Sequence, residues 1–187
     1  MASMTENTRK VARCFYGLEQ ERADKKRYPA VNPIDSYSKY LEYPEFAEYI
    51  EKRINGTWIG KVNDLKTRMQ RGKEIAEQIN ILGDDGVPVD YHVTFWKSEV
   101  IDFVILQQDA FDEVDAVTPL ERQEEILNLV VDICNTDFEF VNFLDVVDYF
   151  KKMINVCKQM NYSVYQSEQY YDFKNQVTAM LNEHKNK

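Results

Sequence analysis

Residues 61–104 read KVNDLKTRMQRGKEIAEQINILGDDGVPVDYHVTFWKSEVIDFV, and this stretch decides the fold. Val62, Leu65, Met69, Ala76, Ile79 and Leu82 recur at intervals of three, four and seven, the period of a helix with one apolar face. Gly83 is placed to cap that helix at its C-terminus, and Asp84-Asp85-Gly86-Val87-Pro88 is turn chemistry. Val93, Trp96, Val100, Phe103 and Val104 then mark a second amphipathic helix. Two such helices joined by a short turn predict an antiparallel hairpin.

The helical pattern continues downstream. Thr118-Pro119-Leu120-Glu121 reads as a capping box with proline at the first helical position, opening a helix through Ile126, Leu127, Val130 and Ile133. Another helix is expected through Phe140, Leu144, Val147, Ile154 and Cys157. Ser163-Val164-Tyr165-Gln166 reads as a second capping box before a last helix through Tyr170, Phe173, Val177 and Met180. The fold class expected is all-α: a C-terminal helical bundle over 41–187, preceded by an irregular N-terminal arm over 1–40.

Upstream of the hairpin the pattern is less regular. Thr8 to Leu18 mixes basic residues with Val11, Cys14, Phe15 and Tyr16, and its periodicity fits either a buried strand or a short helix. Pro29 and Pro33, each restricting the residue before it, make 25–33 an extended loop. Tyr37, Tyr40, Tyr43 and Phe46 follow at near-helical spacing, interrupted by Pro44.

Composition bounds the function. With 44% hydrophobic residues, 13% aromatic, six Gly and five Pro, the 187-residue chain is globular and favours helices. No run of 18 apolar residues is present, so direct membrane insertion is not expected, and the polar start lacks a signal-peptide core. Cys14, Cys134 and Cys157, odd in number and far from His92 and His184, argue against a disulfide framework or a zinc site. The net charge of −9 is uneven: residues 99–148 hold fourteen acids and a single base, Arg122. That surface repels phosphate backbones and excludes nucleic acid as its partner, while a basic protein partner suits it.

Catalytic motifs are missing from the chain. Gly56-Thr57-Trp58-Ile59-Gly60-Lys61-Val62 is one residue too short between its glycines for a P-loop, and Val62 stands where a magnesium-binding hydroxyl is needed. A loop leading into a helix accounts for it better. There is no Gly-x-Ser-x-Gly, no His-Glu-x-x-His and no Ser or Cys with a plausible His base. No catalytic residue is assigned, and the chemistry present would complete an enzyme instead of forming one.

Two segments carry more. Tyr28-Pro29-Ala30-Val31-Asn32-Pro33-Ile34-Asp35-Ser36 resembles a signature of rotary ATPase catalytic subunits, which in the F-type beta subunit reads Tyr-Pro-Ala-Val-Asp-Pro-Leu-Asp-Ser. Arg27-Tyr28-Pro29 and Ser36-Tyr37-Ser38 are similar to the Arg-His-Phe-Pro and Ser-Tyr-Ser of V/A-type A subunits. Leu106-Gln107-Gln108-Asp109-Ala110-Phe111 resembles the A-subunit Leu-Gln-Gln-Asn-Ala-Phe, with Asp109 in place of Asn, and Val114-Asp115 falls where that family has Val-Asp. Val11 to Glu19 looks like the strand that closes its nucleotide-binding domain. The chain therefore resembles the C-terminal part of a V/A-type rotary ATPase A subunit, with 1–40 ending the nucleotide-binding domain and connecting it to the bundle.

The resemblance has specific implications. The P-loop, the catalytic Glu and the Mg-binding residues of the family lie upstream of anything present here, so the chain reads as an isolated piece with an engineered start. It would bind no cofactor alone, whereas the full subunit would hold ATP or ADP with Mg. Adenine would lie between Tyr28 and Phe111, with Ala110 and Ile105 lining the same slot; stacking contributes ~1–3 kcal/mol per base without a hydrogen-bond code. Asp109 would point outward or cap a local turn. The hairpin tip, Gly83, Asp84, Asp85, Gly86, Val87, Pro88, Val89 and Asp90, would meet the central rotor stalk. The other implied partner is the B subunit, in the soluble, cytoplasmic head of a proton- or sodium-translocating ATPase or ATP synthase. Val11, Phe15, Tyr16 and Leu18, lacking their sheet, favour self-association or a mobile arm. The competing reading is a free-standing helical adaptor that binds proteins and no nucleotide.

Overall fold

The computed structural model describes residues 3–53 and 57–185, and its contacts divide the chain into two compact units, Met1–Gly60 and Lys61–Lys187. Gly56 of the P-loop lookalike falls outside the described residues. The chain is mainly helical, as its periodicity predicts, with one two-stranded sheet among the described residues.

The first unit contains α1 (Ser3–Val11), β1 (Cys14–Phe15), α2 (Gln20–Asp24), β2 (Tyr37–Ser38), a 3₁₀ turn (Lys39–Glu42) and α3 (Pro44–Arg53). The segment whose periodicity left strand and helix open contributes the end of α1 and then a strand. Cys14 pairs with Ser38 and Phe15 with Tyr37 in antiparallel register, and the rings of Phe15 and Tyr37 stack at 5.9 Å. Pro44 opens α3 instead of interrupting a helix, because its missing N–H is one that the first turn leaves unbonded anyway. Of the described side chains in this unit only Ile50 and Arg22 are buried, while Val11, Tyr16 and Leu18 are 80%, 70% and 86% exposed.

The second unit holds nearly all of the core. It is built from α4 (Trp58–Leu82), a 3₁₀ turn (Asp84–Gly86), α5 (Val89–Ile101), a π-helical turn (Asp102–Leu106), α6 (Leu120–Asn135), α7 (Phe143–Tyr162) and α8 (Glu168–Lys185). Ile126, Leu127, Val130 and Ile133 of α6 are all buried, as their spacing predicts. Val100, Val130, Ile133, Phe150, Met153 and Val177 are each 0% exposed. Burial of one such side chain contributes about 1.5–3 kcal/mol. Gly83 follows α4 with φ of +79°, which L side chains rarely adopt, and donates its N–H to Ile79 O at 2.8 Å. Close approach of α4 to α5 occurs at Gly72, against Ser98.

Three local expectations need correction. Thr118 does not cap α6: its hydroxyl donates to Asp115 O at 3.4 Å, and Pro119 occupies the cap position. Ser163 does not open the last helix. Its hydroxyl turns back to Gln159 O at 2.8 Å, and Ser167 Oγ accepts the Tyr170 N–H at 3.2 Å instead. Both helices begin later than the boxes require, α6 at Leu120 and α8 at Glu168, which leaves Thr118 and Ser163 outside the cap position. Finally, α7 starts at Phe143, with Asn142 Oδ1 accepting the Asp145 N–H at 3.0 Å, so Phe140 lies before it. Val146 and Phe150 carry the α7 stripe, and Leu144 is 61% exposed.

Candidate functional site

The Tyr-Pro loop is closed by backbone pairing at its base and by one amide side chain inside. Leu18 bridges Val31, Glu19 N–H donates to Ala30 O at 2.9 Å, and Asn32 N–H donates to Gly17 O at 2.7 Å. Asn32 Oδ1 accepts the N–H groups of Ile34 (2.8 Å) and Asp35 (2.9 Å), an Asx turn. Its Nδ2 donates to Glu19 Oε1 at 3.2 Å and to Asp35 Oδ2 at 3.1 Å. A carboxylate could accept the first pair of bonds but not donate the second, which explains the amide at this position. Ser36 Oγ accepts the Gly17 N–H at 3.0 Å. Tyr28 is joined to Pro29 by a cis peptide bond, and its side chain is 55% exposed.

The second loop, 107–119, follows the π-helical turn. π-turns recur at functional sites because they shift the register of the side chains that follow. Its folding is set by three aspartates. Asp109 Oδ1 accepts the Phe111 N–H at 2.9 Å, so this residue caps a local turn. Asp112 Oδ1 accepts from Val114 N (2.9 Å) and Asp115 N (2.8 Å). Asp115 Oδ2 accepts the Asp109 N–H at 2.6 Å, and its carbonyl accepts from Gln108 Nε2 at 2.6 Å. Burial pushes the Asp115 carboxyl above its ordinary range, against the opposing Asp109 N–H bond and the Arg122 charge. Tyr162 is raised as well, first by burial and then by Asp109, Asp115 and Asp112.

This closed loop holds Phe111 out into solvent: its side chain is 98% exposed. Ala110 is also exposed, and Ile105 is half-buried in the π-turn. Ile105, Ala110 and Phe111 belong to the second unit and Tyr28 to the first, so each loop is taken by itself. Asp112 and Asp115 were not singled out from sequence as builders of the loop. The signal available was the turn preference of Asp at 109, 112 and 115.

At the hairpin tip, Asp84, Asp85, Gly86, Pro88 and Asp90 are exposed, Val89 is half-buried, and Val87 is buried at 7% exposure. His92 ties the tip down from inside. Its Nε2 lies 2.9 Å from Asp84 O, and its ring stacks on Phe143 with centroids 5.2 Å apart. Among the described residues, no group of three His, Cys, Asp or Glu side chains is placed to hold a metal ion. No described helix is long and apolar enough to cross a membrane.

Comparison with known proteins adds family information to this geometry. Residues 47–139 match the model of the C-terminal domain of V and A type ATP synthase. The chain is 33% identical over 178 residues to the V-type ATP synthase alpha chain of Chlamydia pneumoniae, covering 95% of this chain and 30% of that one. It is 34% identical over 170 residues to the V-type ATP synthase alpha chain of Borrelia duttonii, covering 89% and 27%. In fold it is similar to the ATP synthase subunit NeqB of Nanoarcheaum equitans, with a TM-score of 0.54 and 17% identity over 71% of this chain and 30% of that chain. The chain thus spans about 30% of the length of these curated relatives.

Proposed function

The chain carries the C-terminal domain of V and A type ATP synthases, matched over residues 47–139, and on that premise we propose that it completes the adenine pocket of an ATP-binding A subunit and transmits torque to a central rotor. Phosphate and Mg would be held by residues of the intact subunit that this chain does not contain. Tyr28 and Phe111 would stack on the two faces of adenine, with Ala110 and Ile105 beside them. The observation that carries this reading is Phe111, a phenyl ring 98% exposed on a loop closed by its own aspartates. An aromatic held out in water by a rigid loop has an unfavourable resting state that a flat apolar partner relieves. A purine is such a partner, and two faces of stacking need no fixed donor or acceptor.

The tip from Gly83 to Asp90 is the second element of the reading. Exposed Asp84, Asp85 and Asp90 suit a basic rotor surface, and the Asp84–His92 contact supports a rigid tip that can push. The B subunit would flank the domain in a cytoplasmic head peripheral to the membrane, coupled to proton or sodium transport. Photolabelling of the intact subunit with 2-azido-ATP, followed by peptide mapping, tests the pocket. Label on the peptides containing Tyr28 or Phe111 is expected; label confined to other peptides would contradict it. A free-standing adaptor would take no label at all.

A further inference from the structure

A second exposed surface lies beside the tip and belongs to no part of the nucleotide reading. His92 places it: the ring that contacts Asp84 O on one side stacks on Phe143 on the other. Phe143 begins α7, so the α7 N-terminus and the hairpin tip share one end of the bundle. At that end four large apolar side chains stand in water: Ile81 (81% exposed) and Leu82 (60%) at the close of α4, and Val141 (92%) and Leu144 (61%) around the start of α7. The segment presenting Val141 is not loose. Phe138 and Phe140 on its N-terminal side stack at 6.1 Å and pack against Phe150 and Tyr149, while Asn142 caps α7 on the other.

Acids surround these apolar groups. Asp84 and Asp85 lie on the tip side, and exposed Glu139, Asp145 and Asp148 lie on the α7 side. Between Ser98 and Phe150 the single basic residue is Arg122, which is buried at 1% exposure and bonded to Met160 O and Asn161 O. Lys97, over the Phe138 ring, is half-buried and donates to Thr136 O at 2.8 Å, so the exposed charges beside the four apolar groups are predominantly acidic. Scattered exposed hydrophobics are ordinary, but four gathered at one end and rimmed by acids mark an interaction site.

We propose that Ile81, Leu82, Val141 and Leu144 form one docking surface with the tip, and that its occupant is a basic amphipathic helix of another protein. The apolar face of such a helix covers the four side chains, and its lysines and arginines meet the acidic rim. The partner thus grips the domain at two separate segments, the tip and the α7 N-terminus, which are held in fixed relation by His92. This rests on the reading of the tip as a protein contact and extends it to α7.

The test uses the full 187-residue chain and a labelled synthetic leucine–lysine peptide patterned as an amphipathic helix, with binding followed by fluorescence anisotropy. A leucine–glutamate peptide of the same pattern is the control, and it should not bind. Val141→Ser/Leu144→Ser should weaken binding of the basic peptide about tenfold or more, by loss of apolar contact area. Asp84→Asn/Asp85→Asn should weaken it too and flatten its salt dependence. Val164→Ser, 62% exposed in the native chain and outside the surface, should bind as the native chain does. Thermal melts should be alike in all variants, because the altered side chains are exposed. Undiminished binding by the Val141/Leu144 variant, with the aspartate variant weakened, overturns the α7 surface and leaves the tip reading standing. The opposite pattern overturns the tip reading alone. If sedimentation shows the native chain to be a dimer that the Val141/Leu144 variant dissociates, the occupant is a second copy and the proposed partner is wrong.

Discussion

Gly72 of α4 lies so close to Ser98 of α5 that a methyl group on Gly72 would fall 2.0 Å from the serine Oγ and 2.3 Å from its Cβ. The two helices of the hairpin cross there because one of them has no side chain. Two effects compete in Gly72→Ala. Removing glycine from a helix interior gains about 0.5–1 kcal/mol. Overpacking a tight contact costs about 1–3 kcal/mol, and at these distances it wins. Urea denaturation should show a lower midpoint for Gly72→Ala, with much of the loss recovered in Gly72→Ala/Ser98→Gly. A midpoint that rises with the single change would mean that the crossing is looser than described.

Glu125 gives the second unit an acid-sensitive joint between α6 and α8. Its carboxylate accepts from Tyr165 Oη (2.9 Å), Tyr170 Oη (3.2 Å) and Lys174 Nζ (2.8 Å). Burial alone would raise this carboxyl, but the bonds from Lys174 and Tyr165, the Lys174 charge and the Tyr170 bond outweigh it and hold the group below its usual value. A depressed carboxylate contributes stability above its unfolded pKa, about 4.3, and loses it as pH falls through the folded value. The native chain should therefore lose stability on acidification below about pH 5, and Glu125→Gln should flatten that slope. At pH 7 the same variant should be less stable by about 1.5–3 kcal/mol, the usual range for hydrogen bonds to a charged group. Parallel acid titrations of the two proteins check this, and identical slopes would remove Glu125 from the account.

The first unit should be cut before the second under limited proteolysis. Its described buried side chains are Ile50 and Arg22, whereas Val11, Tyr16 and Leu18 are exposed, so little free energy opposes its local opening. Early trypsin sites are expected before residue 60, leaving a resistant product that begins near Lys61. A first cut within α5 to α8, with the arm intact in a monomer, would contradict this.

The bundle was legible where the apolar positions at helical spacing are the buried ones. The α6 spacing of Ile126, Leu127, Val130 and Ile133 translates directly into a core face. The α4 stripe was only partly legible. Leu65 is buried as expected, but the other buried positions are Gly72 and Ile75, and a glycine gives no hydrophobic signal. The capping boxes failed because the helices start later than the boxes place them, at Leu120 and Glu168, and Thr118 and Ser163 instead donate to Asp115 O and Gln159 O. Strand β1 was ambiguous because its pairing partner lies 22 residues away, beyond any periodic window. At the candidate site, the motifs single out Tyr28 and Phe111, and the structure leaves both side chains exposed. The closure of the 107–119 loop was not, since it depends on which of several aspartates turn inward.

The 187-residue chain alone should release no phosphate from ATP, because it contains no P-loop sequence and no Ser, Cys or His arrangement suited to nucleophilic catalysis. Nor should it bind ATP at micromolar concentration. Two stacked rings contribute about 2–6 kcal/mol, against about 8 kcal/mol for a dissociation constant of 1 μM. Phosphate release that scales with chain concentration through further purification would sink this expectation.

The most direct test of the adenine reading is the ATP affinity of the intact subunit with Phe111→Ala, measured by equilibrium titration beside the unaltered protein. The side chain is 98% exposed, so its removal should leave the melting temperature unchanged. Loss of one stacking face should weaken ATP binding about tenfold or more. Affinity equal to that of the unaltered subunit, with Phe111 gone and the fold intact, would contradict the account.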